Sequence, residues 1–308
     1  MRSRKVYSSA DRKIGAVRSA LAACLAGVVL AGCGSDGFDD VRSKVDYDES
    51  KPVKVELISQ GNLFTEIEFQ SPRGNDVTAS IALPPNRKGK VPAVLWAHGF
   101  GSGRNQFATE VTQLADLGIA SVIYDSNMTR GFARSGIDIQ DPVYAAEAFE
   151  LLVRQDVVDA RVALDILEKR GDVDMSRIGF VGVDYGVMVG GVLAAVEDRI
   201  DAFVFASGFP EPSRYFASEL VPPESVDSFA DRLAPYDPVR TLAHADDTML
   251  LQNARRDRIV TPEDYERLID AADGAEVKWY ESDHDLVFQA HQDRARWLSE
   301  QLGVASKS

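Results

Sequence analysis

A chain of 308 residues is long enough to bury a sizeable α/β core, and 45% hydrophobic with 27% charged residues is an ordinary globular balance. The net charge is −14, and it reaches about −19 once the six bases and one acid of residues 1–32 are set aside. Such a surface repels nucleic acid and anionic lipid headgroups, which argues against a nucleic-acid partner.

Residues 1–18 carry Arg2, Arg4, Lys5, Arg12, Lys13 and Arg18, and an apolar run follows from Ala20 to Ala31. It ends in Leu30-Ala31-Gly32-Cys33, small residues before a cysteine. A basic flank, a short apolar core and a small-residue cleavage site are the plan of a secretory signal. About 12 apolar residues are too few to span a bilayer comfortably. The ending resembles the lipobox of bacterial lipoproteins. That resemblance implies a signal peptide over 1–32, lipid (palmitate) on Cys33, and attachment outside the cytoplasmic membrane or on an outer membrane. With Cys24 leaving with the signal and Cys33 acylated, the mature chain has no thiol for a disulfide, a soft-metal site or a nucleophile. Residues 34–50 are polar and acidic, so a flexible tether is expected over 33–54, ahead of one domain over 55–308.

Three alternating segments come next, Val55–Ser59, Phe64–Gln70 and Val77–Leu83, separated by Gly61-Asn62 and Pro72-Arg73-Gly74-Asn75. They predict an antiparallel meander. Ala93–Ala97 is continuously apolar and predicts a strand covered on both faces. Helical spacing at Phe107, Val111 and Leu114 follows, then a strand over Ala120–Tyr124 and a long helix over about Val143 to Lys169. Strand Ile178–Val183, helix Tyr185–Val196 and strand Ala202–Ala206 precede a Pro-rich excursion from Phe209 to Asp246. The chain closes with strand Thr248–Gln252, a helix capped by Thr261 with Pro262 at its first position, strand Glu276–Tyr280 and a final helix to about Leu302. Alternating β and α units predict a mainly parallel sheet with helices on both faces.

In such a sheet, ligands bind beyond the carboxyl ends of the parallel strands. Three places lie there: His98-Gly99-Phe100-Gly101-Ser102, Gly182-Val183-Asp184-Tyr185-Gly186, and the late loops holding Asp257 and His284. With RGFARSG at 130–136, DMSRIGFVGVDYG at 174–186, ARRDRIVTPED at 254–264 and SDHDL at 282–286, the arrangement resembles the α/β-hydrolase superfamily, in its dienelactone-hydrolase-like and esterase-like branch. The likeness runs from about 55 to 303. It implies a mainly parallel eight-stranded sheet with a short cap segment, a small-molecule substrate, and an oxyanion hole built from the N–H groups of Phe100 and Tyr185. It implies no cofactor, and the histidines are too scattered for a metal site.

The residues agree with that likeness. Gly182 and Gly186 flank position 184 at the sharp strand-to-helix turn, where the backbone needs small neighbours. His98 belongs to a bracing turn, His244 precedes a strand, and His291 sits within the last helix; His284 alone follows a strand on the catalytic edge. Asp257 follows its strand, whereas Asp246 and Asp247 precede theirs, so the order nucleophile, acid, histidine is met by Asp184, Asp257 and His284. Arg130 and Arg134 read equally as anion contacts or solvated loop residues. Asp156 and Asp159 read as part of a solvated helix face, and Met188, Trp96 and Trp279 as packing.

Position 184 departs from the esterase G-x-S-x-G pattern. An aspartate there is the nucleophile of haloalkane dehalogenases and epoxide hydrolases, where the carboxylate attacks an sp³ carbon and histidine-activated water hydrolyses the resulting ester. Attack on an ordinary ester would instead give a mixed anhydride. Yet the cap is short, Tyr185 stands where the dehalogenase tryptophan would be, and HGFGS lacks the proline usual in those two families. Three readings stand: an Asp184-nucleophile hydrolase, a catalytically inactive binding module at the cell surface, and direct activation of water by Asp184 or His284. Nothing in the sequence bears on oligomeric state.

Overall fold

The computed structural model describes residues 38–129 and 140–304. The signal, the lipobox with Cys33, and the RGFARSG segment with Arg130 and Arg134 lie outside the described residues. Nine strands form one sheet: β1 (Val55–Gln60), β2 (Phe64–Gln70), β3 (Asp76–Ala82), β4 (Val91–Ala97), β5 (Ala120–Tyr124), β6 (Val173–Val183), β7 (Ala202–Ala206), β8 (Thr248–Ala254) and β9 (Glu276–Tyr280). Their spatial order is β1-β2-β3-β5-β4-β6-β7-β8-β9. The pairs β1/β2, β2/β3 and β3/β5 are antiparallel, and from β5 to β9 every pair is parallel. The expected mainly parallel α/β-hydrolase sheet is present, with nine strands rather than eight. β1, the strand expected over Val55–Ser59, is an edge strand exposed at every position, held by its ladder to β2 rather than by burial.

Strands β4, β5 and β7 are buried at every residue, which is why their sequences run apolar without alternation. Successive side chains of β4 feed opposite layers. Val94 and Trp96 pack with Val111 and Leu114 of α2 (Ala108–Leu117) and Leu298 of α9 (Phe288–Gln301). Ala93, Leu95 and Ala97 join the cluster holding α3 (Pro142–Arg170) and α4 (Tyr185–Val196). Helix α3 starts where the Asp141 side chain accepts the Val143 and Tyr144 N–H groups with Pro142 at the first turn, and stops at left-handed Gly171. The excursion over 209–246 is helical. It contains α5 (Pro212–Leu220), α6 (Val226–Leu233) and the single turn α7 (Pro238–Thr241), with prolines opening α5 and α7. Helix α8 (Pro262–Ala271) carries the expected Thr261 cap, completed by Asp264 as a capping box.

The structure departs from the tether expectation from Phe38 onward. Phe38–Lys44 forms helix α1, and Phe38, Val41 and Val45 are buried in the main core. Their i, i+3, i+7 spacing gives the segment one apolar face, which outweighs its acidic composition. Lys44 pairs with the buried Glu150 of α3 at 2.9 Å, and Phe38 stacks on His244 at 4.2 Å between ring centroids.

Candidate active site

Sheet register brings the site together. Ala97 pairs with Gly182, Val183 with Ala206, Ala206 with Gln252, and Ala254 with Tyr280, so the carboxyl ends of β4, β6, β7, β8 and β9 finish in line. Asp184 sits between β6 and α4 with φ 53° and ψ −115°, a conformation an L side chain rarely takes. The flanking glycines make that turn feasible. A Cβ on Gly186 would overlap the Ala97 carbonyl, and one on Gly182 would run into the Gly186 backbone. Gly99 leaves room for the acid itself, since a Cβ there would lie 3.0 Å from Asp184 Oδ2.

The Asp184 carboxylate lies against the two N–H groups expected to form an oxyanion hole. Phe100 donates to Oδ2 at 3.0 Å, and the Tyr185 N–H lies beside the carboxylate and favours its charge. Burial pushes the Asp184 pKa up to about 6, with the Asp257 charge adding to it, while the charge of His284 and the two N–H donors pull the other way. His284 Nδ1 is 2.8 Å from Asp257 Oδ2. Asp257 is fully buried as a side chain and accepts Tyr265 Oη–H at 2.6 Å and the Ile259 and Val260 N–H groups at 2.8 and 3.1 Å. Burial opposes its ionisation, but His284, Tyr265 and Ile259 outweigh it and hold the carboxyl below its ordinary value. Burial likewise opposes charging His284, yet the Asp257 hydrogen bond and charge, with the Asp184 charge, raise the ring above its ordinary value. The loop is fixed behind the ring, where Ser207, itself at φ 51°, donates to the His284 carbonyl at 2.6 Å.

Aromatic side chains from the cap region wall the site. Phe216 of α5 packs on Phe100 and Tyr185, Tyr215 stacks on Phe209, and Phe209 approaches the His284 ring at 6.2 Å. A cleft of about 510 Å³ opens at His284, bordered by Arg256, Arg258, Ile259, Asp283 and Asp285. Ile259 also borders a second cleft, of about 410 Å³, beside Phe209 and Tyr215. Among the described residues, no three His, Cys, Asp or Glu side chains gather as metal ligands.

The three expected triad residues and both expected N–H donors therefore meet at one sheet edge. His98 braces the loop as expected: Ser126 N–H donates to its Nε2 at 3.0 Å, so Nδ1 carries the proton and donates to the Gly99 carbonyl at 3.0 Å. His291 lies on α9 away from the triad, near Glu110. Trp96 and Met188 are core residues, and Trp279 is half-buried beneath Arg255. Asp156 and Asp159 correct the solvated-face reading, for both are fully buried. Asp156 accepts hydrogen bonds from Ser126, Asn127, Met128 and Tyr185. The signal was in the sequence: the apolar Val157, Val158, Ala160, Val162, Ala163 and Leu164 surround the acids, and all six are buried.

An aspartate on a strained elbow, an Asp–His pair beside it and paired N–H donors on a mixed α/β sheet define an α/β-hydrolase. Residues 51–210 match the family model for acetyl xylan esterase (AXE1), and the chain belongs to that family, which makes it a member of a hydrolase family. YtaP of Bacillus subtilis (strain 168) is 26% identical over 175 residues, 52% of this chain, and the match spans 58% of YtaP's own length. Solved structures share the fold at low identity. Acetyl xylan esterase 1 from Thermoanaerobacterium sp. superposes with TM-score 0.69 at 17% identity, covering 86% of this chain and 94% of that one. The acetyl xylan esterase from Paenibacillus sp. R4 gives 0.67 at 18%, covering 85% and 92%. A dienelactone-hydrolase-like structure from Klebsiella pneumoniae gives 0.57 at 17%, covering 83% and 100%.

Proposed function

We propose that this chain is a hydrolase in which Asp184 is the nucleophile toward an activated sp³ carbon and His284, held by Asp257, activates the water that frees the product. The observation that carries this is the hydrogen bond from the Phe100 N–H to Asp184 Oδ2. A substrate carbonyl in ordinary acyl transfer needs those N–H donors for its own developing oxyanion. Here Asp184 Oδ2 already holds the Phe100 N–H, which leaves Oδ1 to displace a leaving group from carbon.

Oδ1 forms a bond to the substrate carbon as the carbon–leaving-group bond breaks. The leaving group departs with the electron pair, an epoxide oxygen taking up a proton from water and a halide leaving as the anion. Asp184 is then an alkyl ester. His284 removes a proton from water, and the water oxygen attacks Cγ of Asp184. Negative charge develops on Oδ2, where the Phe100 and Tyr185 N–H groups stand ready. Collapse expels the alkoxide, which takes the proton from His284, and the Asp184 carboxyl, left carrying the water oxygen and its remaining proton, releases that proton to solvent as the carboxylate is regenerated. Alkylation also neutralises Asp184, removing one of the charges that raise His284, so the ring becomes a readier base at the step that needs it.

The test is intact-protein mass spectrometry of the parent and its His284→Ala variant after incubation with epoxides, haloalkanes and activated esters. The expected result is a covalent adduct mapped to Asp184 in the variant and turnover in the parent. Turnover of esters without any adduct would move the assignment to direct water activation by His284. Neither turnover nor adduct would leave a binding module. The Leu30-Ala31-Gly32-Cys33 motif supports export and lipid anchoring through Cys33 as part of the same proposal.

A further inference from the structure

Asp156 lies in the middle of α3, fully buried, and its carboxylate gathers donors from two places that are far apart in the chain. From the segment following β5, Ser126 Oγ–H donates to Oδ2 at 2.6 Å and Met128 N–H at 3.2 Å, while the Asn127 N–H and Nδ2–H reach Oδ1. From the elbow, Tyr185 Oη–H donates to Oδ2 at 2.9 Å. Tyr124 Oη–H anchors the helix itself by donating to the Asp156 carbonyl at 3.2 Å.

Each of these two places leads to one N–H donor of the site. The Ser126 whose hydroxyl bonds Asp156 gives its own N–H to His98 Nε2, and His98 Nδ1–H bonds the Gly99 carbonyl, the peptide unit that carries the Phe100 N–H. The Tyr185 whose hydroxyl bonds Asp156 is the residue whose own N–H, beside the Asp184 carboxylate, is the second expected donor. We propose that Asp156 is the positioning residue of this site: one buried carboxylate that sets the spacing of both oxyanion-hole donors, Phe100 through Ser126 and His98, and Tyr185 through its hydroxyl. The β4 loop and the β6 elbow belong to separate chain segments, and α3 is the element that sees both. This role belongs to the donor geometry and holds whichever atom the nucleophile attacks.

Asp184 reports on that geometry, because its carboxylate accepts the Phe100 N–H, lies beside the Tyr185 N–H, and faces His284, Asp257 and Tyr215 as its other titratable neighbours. The experiment follows the Asp184 carboxyl titration by ¹³C NMR in the folded parent and in Asp156→Asn, Tyr185→Phe and Asp159→Asn. Asp156→Asn removes a negative charge, which through space alone would lower the Asp184 midpoint; loosened donors raise it. The expected result is a rise of about one unit in Asp156→Asn and a smaller rise in Tyr185→Phe, which changes no charge. Asp159→Asn, equally buried but bonded to Asn127 and Asn75 rather than to Tyr185, is expected to produce no rise. Thermal melting that drops while the Asp184 midpoint stays or falls in both Asp156→Asn and Tyr185→Phe overturns the proposal. Should Asp156→Asn fail to fold, Tyr185→Phe decides alone.

Discussion

Asp184 is held at φ 53° with a half-buried carboxylate, and both conditions cost stability. The cost of the charge depends on pH. In the unfolded chain this carboxyl ionises near 3.8, and in the folded chain near about 6, because burial disfavours the anion. Between those values the folded state binds the proton more tightly, so stability falls as pH rises through the window, and the loss persists above it. Asp184→Asn keeps an oxygen for the Phe100 N–H but carries no charge. The variant should therefore be more stable than the parent by about 1–3 kcal/mol above pH ~6.5, with the gain gone below pH ~4. Urea unfolding at both ends of that range measures it, and an equal gain at both would rule out ionisation as its source. The three triad side chains could be chosen from residue order alone because each follows a β-strand directly, and a strand's carboxyl end is a feature of the local chain. Asp156 could not be chosen that way. Its importance comes from Ser126 and Tyr185, which the chain places 30 and 29 residues from it.

At the scale of elements, α1 is where composition and periodicity pull in opposite directions. The segment is acidic and polar enough to suggest a tether, but three apolar side chains at helical spacing bury completely or nearly so against the domain. Valine at 41 is 0% exposed, and truncating it leaves a cavity between α1 and the core. Val41→Ala should cost about 2 kcal/mol of unfolding free energy, measured by chemical denaturation. A true tether would show no change. The cap region carries a similar lesson. Its prolines suggested an irregular excursion, yet two of them open α5 and α7, where a missing N–H loses no hydrogen bond. Helix α5 then places Phe216 against Phe100 and Tyr185, so the segment walls the site.

Across the whole molecule, the charge of about −19 left after residues 1–32 gives the domain no attraction for an anionic bilayer. If lipid on Cys33 is what holds it there, Cys33→Ser should move the protein from the membrane fraction to the soluble fraction on cell fractionation. Retention of the variant on membranes would assign the attachment to something else. What the sequence determined by itself was whatever is local or periodic along the chain. That includes the β/α alternation that dictates a mainly parallel sheet, the glycines around Asp184, and the order of Asp184, Asp257 and His284. Tertiary structure alone decided what depends on contacts between distant segments. It turned an acidic stretch into a docked helix, seated an Asp184 oxygen on the Phe100 N–H, and buried Asp156 where two loops converge. Hydrophobic periodicity is written in one strand of sequence, whereas the partners of a buried charge are chosen by packing, which no single segment encodes.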